Sequence, residues 1–461
     1  MRLLPVLALG ALGLAVALGA AQAGRRAGPE VNVSRLPGAQ NEVNVAIDPS
    51  NDQVLLAGSN SVKEGTMRLY SSNDGGVTWT TGTAYPAPKS FVDVCAADPW
   101  AGIDLTGRQY FSFLRFMPCR TGKPRVQVVT RAGPEAAWSA PKPVAPLGGA
   151  RFDDKPALAV DSSPASPYRN RVYVAWVRAS RAVVFSILLS SSDDGGRTWS
   201  RPVKVNRTGR EVTYPSVAVS AKGIVYVVWD DVSDYRVGIA RSTDGGAHFE
   251  SERTVAPFSL APIPHCGSGV VIRAVRATCI HANPIVSVDN SGGPTSGRVY
   301  VSYLNVGIGR DLGIFVGVFS SRLRPLGVAG DPGQGVEVVP VRGGRNRGDN
   351  PDRFWPQSAV DTSSGALWVC FYDTTGDPEG RRAYYSCTVS LDGGKRFAKP
   401  VRAATAPSDE TQPGADQREY GDYEGLAVAN GVAHPMWTDS RDLATLGEEI
   451  YTTRLTDVLG R

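Results

Sequence analysis

Eleven residues of this 461-residue chain carry side chains suited to chemistry on a polar, ring-shaped ligand. Tyr423, Asp373 and Asp439 are a phenol and two carboxyls able to move protons, and Arg441, Arg353 and Lys155 are cations able to hold an anion. Arginine grips a carboxylate through two parallel hydrogen bonds, and carboxyl groups do general acid and base work. Trp355 and Tyr214 offer flat faces for sugar rings, and Asp422, Asp231 and Glu42 offer acceptors for hydroxyls. All eleven fall at or close to two recurring positions: just before one kind of strand, or just after the next.

Those positions belong to a pattern that occurs seven times. Seven β-like runs close on a polar residue, among them Val172-Tyr-Val-Ala-Trp-Val-Arg178, Val225-Tyr-Val-Val-Trp-Asp-Asp231 and Leu367-Trp-Val-Cys-Phe-Tyr-Asp373, and six of the seven have an aromatic residue at the fifth place. They end at residues 60, 115, 178, 231, 305, 373 and 439. Most are preceded by a strand of small residues, such as Pro156-Ala-Leu-Ala-Val160, suited to a crowded axis. A third strand follows, and in four copies it ends in a fixed spelling: Ser72-x-Asp74-Gly-Gly-x-Thr-Trp79, Ser192 to Trp199, Ser242 to Phe249 and Ser390 to Phe397. Glycine supplies positive φ there, Ser and Asp accept backbone N–H groups, and the aromatic residue plugs the sheet. These turns are read as structural.

Four-stranded units of this size in a ring make a β-propeller, with the excess length in loops. The expected fold is all-β, a seven-bladed propeller of antiparallel blades, with six blades as the alternative. Residues 1–23 read as a signal peptide, residues 24–40 as an N-terminal segment able to supply the last blade's missing outer strand, and residues 41–457 as the propeller. In such a blade the Ser-x-Asp turns occupy one face. A site at the axis on the opposite face is built from residues preceding the first strand and following the second, which are the residues named above.

Composition agrees. The 51 glycines and 33 prolines are about 18% of the chain, above the usual share of roughly 12%, and favour turns over long helices. The net charge of +5 is spread along the sequence with no basic block, so nucleic acid is not expected as a partner. Arg2, an apolar run and Ala21-Gln-Ala23 predict cleaved export to a secreted or periplasmic location, with no membrane attachment afterwards. Six cysteines then predict disulfides. The order along the chain offers Cys95–Cys119, Cys266–Cys279 and Cys370–Cys387 among fifteen connectivities. His265, Cys266, Cys279 and His281 also spell a zinc set, which an oxidising compartment disfavours. No metal, no cofactor and a monomer are expected.

The four turns, with Gly421-Asp-Tyr423 and Trp437-x-Asp439-x-Arg441, resemble the sialidase superfamily, and in particular secreted bacterial Asp-box (BNR-repeat) sialidase-like proteins. The resemblance covers nearly all of the chain after the leader. It implies a glycan or glycoconjugate partner and an exo-α-sialidase type of glycoside hydrolase: Tyr423 as nucleophile, Asp439 or Asp373 as acid/base, and Arg441 and Arg353 on the substrate carboxylate. The sequence departs from the family where an Arg-Ile-Pro motif is expected, offering only Arg35-Leu-Pro37 several residues early. A non-catalytic propeller binding glycan or protein on the same face is the alternative.

Overall fold

The computed structural model describes residues 25–85, 94–119, 121–146, 148–181, 184–259, 262–266, 269–307, 311–327, 335–340, 350–415 and 419–457; the leader at 1–23 lies outside them. It is an all-β, seven-bladed propeller with no helix among the described residues. The innermost strands are Gln40–Asp48, Cys95–Ile103, Phe152–Val160, Val212–Val219, Ile285–Val288, Arg353–Val360 and Gly425–Ala429. Each pairs antiparallel with the strand that follows it, and blades 1 to 6 run outward in chain order.

Blade 7 is assembled from both ends of the chain. Its third strand is Glu449–Thr452, continued by Leu455–Asp457, and its outermost strand comes from the N-terminal segment: Val31 pairs with Thr452, Asn32 with Tyr451, and Arg25 with Asp457. This closes the ring without a free edge at the junction. The Asn430 side chain also bonds to Asp52 of blade 1 at 2.9 Å.

Small residues let the inner strands crowd the axis. Ser287 and Ser358 meet hydroxyl to hydroxyl at 3.0 Å, and the Asn44 side chain accepts the Ala101 amide at 2.9 Å. Between blades lie the aromatic residues of the second strands, and Trp176, Trp229, Trp437, Tyr110, Tyr173 and Tyr226 are all fully buried. Each large side chain so buried contributes about 2–3 kcal/mol. Blade 1 breaks the aromatic pattern at Gly58 for a visible reason: a Cβ there would stand 2.8 Å from the Phe111 ring of blade 2, which already fills the space.

The Ser-x-Asp turns form the joints between blades. In the blade 3 turn, Ser192 Oγ accepts the Gly196 amide at 2.9 Å, and Asp194 Oδ1 accepts the Arg197 and Thr198 amides at 3.0 and 2.9 Å. Gly196 has φ +82°, and a Cβ there would lie 2.9 Å from Thr130 of blade 2. Gly246 stands likewise against Leu189 of blade 3, Gly394 against Val318 of blade 5, and Gly76 against His434 of blade 7. Three disulfides join Cys95 to Cys119, Cys266 to Cys279 and Cys370 to Cys387, with Cα separations of 4.7, 5.7 and 4.0 Å.

Candidate functional site at the axial mouth

Strand register separates two faces. In blade 1, Leu55 pairs with Ser72 of the turn, whereas Asn41 pairs with Asn60 at the other end of the same strands. The mouth therefore lies a strand's length from the Ser-x-Asp turns.

Near the mouth end of the inner strand, blade after blade holds one residue in the left-handed region. These are Glu42 (φ 54°), Asp98 (57°), Lys155 (50°), Tyr214 (48°), Asn283 (41°) and Trp355 (49°), with Gly421 (77°) in blade 7. In blades 1, 2, 3, 4 and 6 a register shift in the pairing falls at or beside this residue. In five blades the next residue is proline, which has no N–H for the ladder to lose. Holding a non-glycine residue at positive φ costs roughly 1–2 kcal/mol. The strain re-aims one side chain per blade, and a bulge is the device for that.

Most of these side chains meet. Lys155 Nζ forms an ion pair with Asp422 Oδ2, Tyr214 Oη donates to Asp422 Oδ1 at 3.3 Å, and Asn283 Nδ2 donates to the Asp422 carbonyl at 2.8 Å. The Lys155 ammonium also lies 5.0 Å from the Tyr214 ring centre, and the His281 ring centre lies 5.7 Å from it. Burial opposes the charge on both Lys155 and Asp422, but each holds the other ionised: the lysine is raised and the aspartate lowered.

Across the mouth, Asn60 ties two further carboxyls into place. Its Nδ2 donates to Glu42 Oε2 at 2.7 Å, and its Oδ1 accepts the Asp98 amide at 2.8 Å. The Asp98 and Glu42 carboxyls hydrogen-bond to each other, which requires a proton on one of them. Burial first, and then the charge of Glu42, push Asp98 well above the usual carboxylate range. Glu42, Asp98, Asp154, Lys155, Thr278 and Asp422 surround a cleft of about 240 Å³. Beside it Trp100, Tyr214, Asn283, Gln357 and Tyr423 line a narrow throat, with the Tyr423 ring 5.5 Å from Trp100. Several buried polar atoms here have no protein partner: Tyr423 Oη, Asn283 Oδ1, His281 Nδ1 and Gln357 Nε2. Such atoms are costly unless a ligand or solvent meets them.

Of the sequence-derived candidates, Glu42, Lys155, Tyr214, Asp422 and Tyr423 come together at the mouth. Trp355 holds the same strained position in blade 6 but packs on Phe354 and Tyr420, at 4.9 and 6.3 Å. The residues after the second strands are engaged in ion pairs that fix loops. Asp231 meets Arg236 at 2.7 Å, Asp373 meets Arg353 at 3.3 Å, and Asp439 meets Arg441 at 2.7 Å, with Arg441 also held by Glu30 at 2.9 Å. Lys155 is the only cation among the described residues lining the cleft and throat.

Glu424, next to Tyr423, points elsewhere. Tyr372 Oη lies 2.6 Å from Glu424 Oε1 and 2.7 Å from the Thr438 carbonyl, and one hydroxyl proton cannot serve both. A protonated Glu424 satisfies the set, and burial pushes its carboxyl well above the usual range.

Asp98 and Trp100 lay outside the sequence reading, and His281 entered it only as a possible zinc ligand. For Asp98 a signal existed, because Asp98-Pro99 repeats the residue-before-proline spelling of Lys155-Pro156, Tyr214-Pro215, Asn283-Pro284 and Trp355-Pro356.

No protein-family model matches the sequence, and no curated protein does. Among solved structures, a protein of unknown function from Dyadobacter fermentans is 14% identical, with 94% of this chain and 99% of that one covered and a TM-score of 0.50. A PL25 polysaccharide lyase, an ulvan lyase, is 10% identical over 92% of this chain and 95% of its own, with a TM-score of 0.49. The sialidase of Trypanosoma rangeli is 12% identical over 80% of this chain and 60% of its own, with a TM-score of 0.45. At these identities the likeness is one of fold.

Proposed function

We propose that this is an exported glycan-recognising propeller that works at its axial mouth. One observation carries the reading: six blades each accept a strained, non-glycine residue near the mouth end of the inner strand, and five of those side chains are engaged at or beside one cleft. Strain repeated around an axis and filled with a different polar or aromatic group each time fits a binding site better than a scaffold. Tyr214, Tyr423 and Trp100 supply ring faces, Lys155 and Asp422 a buried charged pair, and Tyr423 Oη and Asn283 Oδ1 open hydrogen-bonding positions. Export is supported by residues 1–23, read as a cleaved leader, and by the three disulfides, which suit an oxidising compartment. We take residues 24–40 as the closing segment, residues 41–457 as the propeller, and the protein as a monomer.

The exo-sialidase version of this reading has weaker support. Its carboxylate grip needs converging arginines, while Arg353 and Arg441 are already paired. Burial, Glu42 and Asp98 all push the Tyr423 phenol upward, away from the phenolate a nucleophile needs. Acid/base chemistry is better served by the Asp98 and Glu42 pair, which shares a proton: Asp98 would protonate a leaving oxygen and Glu42 would accept a proton.

The test is a panel of oligosaccharides, with a fluorogenic sialoside included, assayed for binding and turnover by the purified chain. Binding that is lost in Tyr214→Ala supports the mouth. Turnover lost in Asp98→Asn with binding kept assigns the chemistry to the carboxyl pair. Sialoside turnover lost only in Tyr423→Phe and Arg441→Ala would restore the sialidase scheme, and no saccharide bound at any pH from 4 to 8 would remove the glycan reading.

A further inference from the structure

A second depression lies on the same face, off the axis. It encloses about 660 Å³ between the stapled loop that precedes blade 5 and two loops of blade 6, with Val271, Ile272, Arg273 and Arg276 on one side and Asp352 and Asp377 on the other. None of the residues proposed above for the mouth lines it.

Its charges are unequally committed. Asp377 accepts the Arg381 and Arg382 amides at 2.8 and 2.7 Å and the Arg382 side chain at 3.2 Å, and Asp352 accepts the Leu312 amide at 3.0 Å. The two guanidiniums are exposed. Arg273 makes one long contact, 3.4 Å to the Glu379 carbonyl, and no ion pair is formed by Arg276 among the described residues. Anions are therefore favoured in this groove.

The loop carrying both arginines is held in advance. Cys266–Cys279 closes it, His265–Cys266 pairs with Gly269–Val270, and the Glu419 carboxylate accepts the Arg276 amide at 2.9 Å and the Ala277 amide at 3.1 Å. The loop backbone is thus fixed before a ligand arrives, and only the two arginine side chains lose freedom on binding. The same loop reaches the mouth two residues later, where Thr278 lines the cleft with Glu42 and Asp98. Two residues of extended chain span at most about 7 Å, so one ligand longer than a single sugar can touch both places.

We propose that the groove is a second subsite, and that the ligand is an acidic oligosaccharide running from the mouth to Arg273 and Arg276, which hold a carboxylate or sulfate on a sugar unit beyond the one at the axis. This rests on the glycan reading of the mouth and adds length and charge to it.

The experiment compares binding of the intact, disulfide-bonded chain to four probes: a uronic-acid disaccharide, the corresponding tetrasaccharide, its carboxyl-reduced neutral form, and a sulfated neutral tetrasaccharide. The acidic tetrasaccharide should bind at least tenfold tighter than the disaccharide and the neutral form. Arg273→Ala and Arg276→Ala should each weaken it about tenfold, a loss of about 1.4 kcal/mol, without changing the disaccharide. Preference between the first and last tetrasaccharides tells carboxylate from sulfate. Tyr214→Ala should weaken all saccharides alike. If short probes bind and the acidic tetrasaccharide gains nothing, or the arginine variants leave it unchanged, the groove proposal is overturned while the mouth stands. If no saccharide binds at all, both readings fall. Both arginines are exposed, so unchanged thermal unfolding is the control for fold.

Discussion

The two ends of each blade solve opposite problems with the same strands. At the Ser-x-Asp end, four turns repeat one hydrogen-bond pattern, glycine takes the positive φ, and the carboxylates are held ionised. Against the upward push of burial, the Thr198 hydroxyl and amide, Ser192 and the Arg197 amide lower Asp194 to about 2, and Ser242 with the His248 ring and amide lowers Asp244 to about 2. At the mouth the repeated position is just as regular in the backbone, yet its occupant changes from Glu to Asp, Lys, Tyr, Asn and Trp, the strain is kept, and buried polar atoms go unmatched. Repetition in sequence marks scaffold. Variation at a strained position that repeats in structure sets the mouth apart from it, and is the ground for the function proposed there.

That contrast can be broken most sharply at the charged pair. Lys155→Met leaves Asp422 buried without its cation, and unfolding in denaturant should show a loss of about 3–5 kcal/mol, most of it recovered when Asp422→Leu is added. The next largest effect belongs to the turns. Gly196→Ala forces a Cβ against Thr130 at positive φ and should cost about 2–3 kcal/mol while leaving saccharide affinity unchanged. Its counterpart at the mouth is Asn283→Gly, which relieves strain and loses one hydrogen bond. Stability should move by less than about 1 kcal/mol, and affinity should fall at least tenfold.

Acidity separates the ends as well. Asp230 sits at the mouth end of blade 4, where its carboxyl accepts the Ala282 amide at 2.8 Å and burial raises it to about 7. The folded chain therefore binds a proton that the unfolded chain has released between pH 4 and 7, and stability falls as pH rises through that window. Asp230→Asn keeps the acceptor and should flatten that part of the curve in unfolding measured against pH. The turn carboxylates have the reverse sign: lowered in the folded chain, they lose their contribution only as pH falls below about 4. The smallest change is Thr78→Val, which removes one exposed hydroxyl bond to Asp74 and should cost less than about 1 kcal/mol with no effect on binding.

The ring of blades is legible in the sequence because the second strands repeat an aromatic residue and a polar end, and the turns because their spelling is local. The face of the site follows from those two. Less legible is which polar residues at that face are already spoken for. Arg441 meets Glu30 from 411 positions away, and Arg353 meets Asp373 across a strand pair, so charged residues that look available in one dimension are neutralised in three. Asp98 was hidden by the weakness of its own blade's pattern, and the place of His281 beside Tyr214 by its lying in a long connection with no strand signal, where only its spacing from Cys279 stood out. Gly58 shows the same limit in the core, since the ring that fills its place belongs to the next blade.

Glycan binding is proposed for the axial mouth, and not for the turn face or a blade edge. Its most direct test is the crystal structure of the purified chain soaked with the tightest-binding oligosaccharide from the panel. The expected result is a sugar ring stacked at Tyr214 or Tyr423 within hydrogen-bond reach of Lys155, Asp98 or Asn283. Sugar found only beside the Ser-x-Asp turns, with Lys155 and Asp422 untouched, would contradict it.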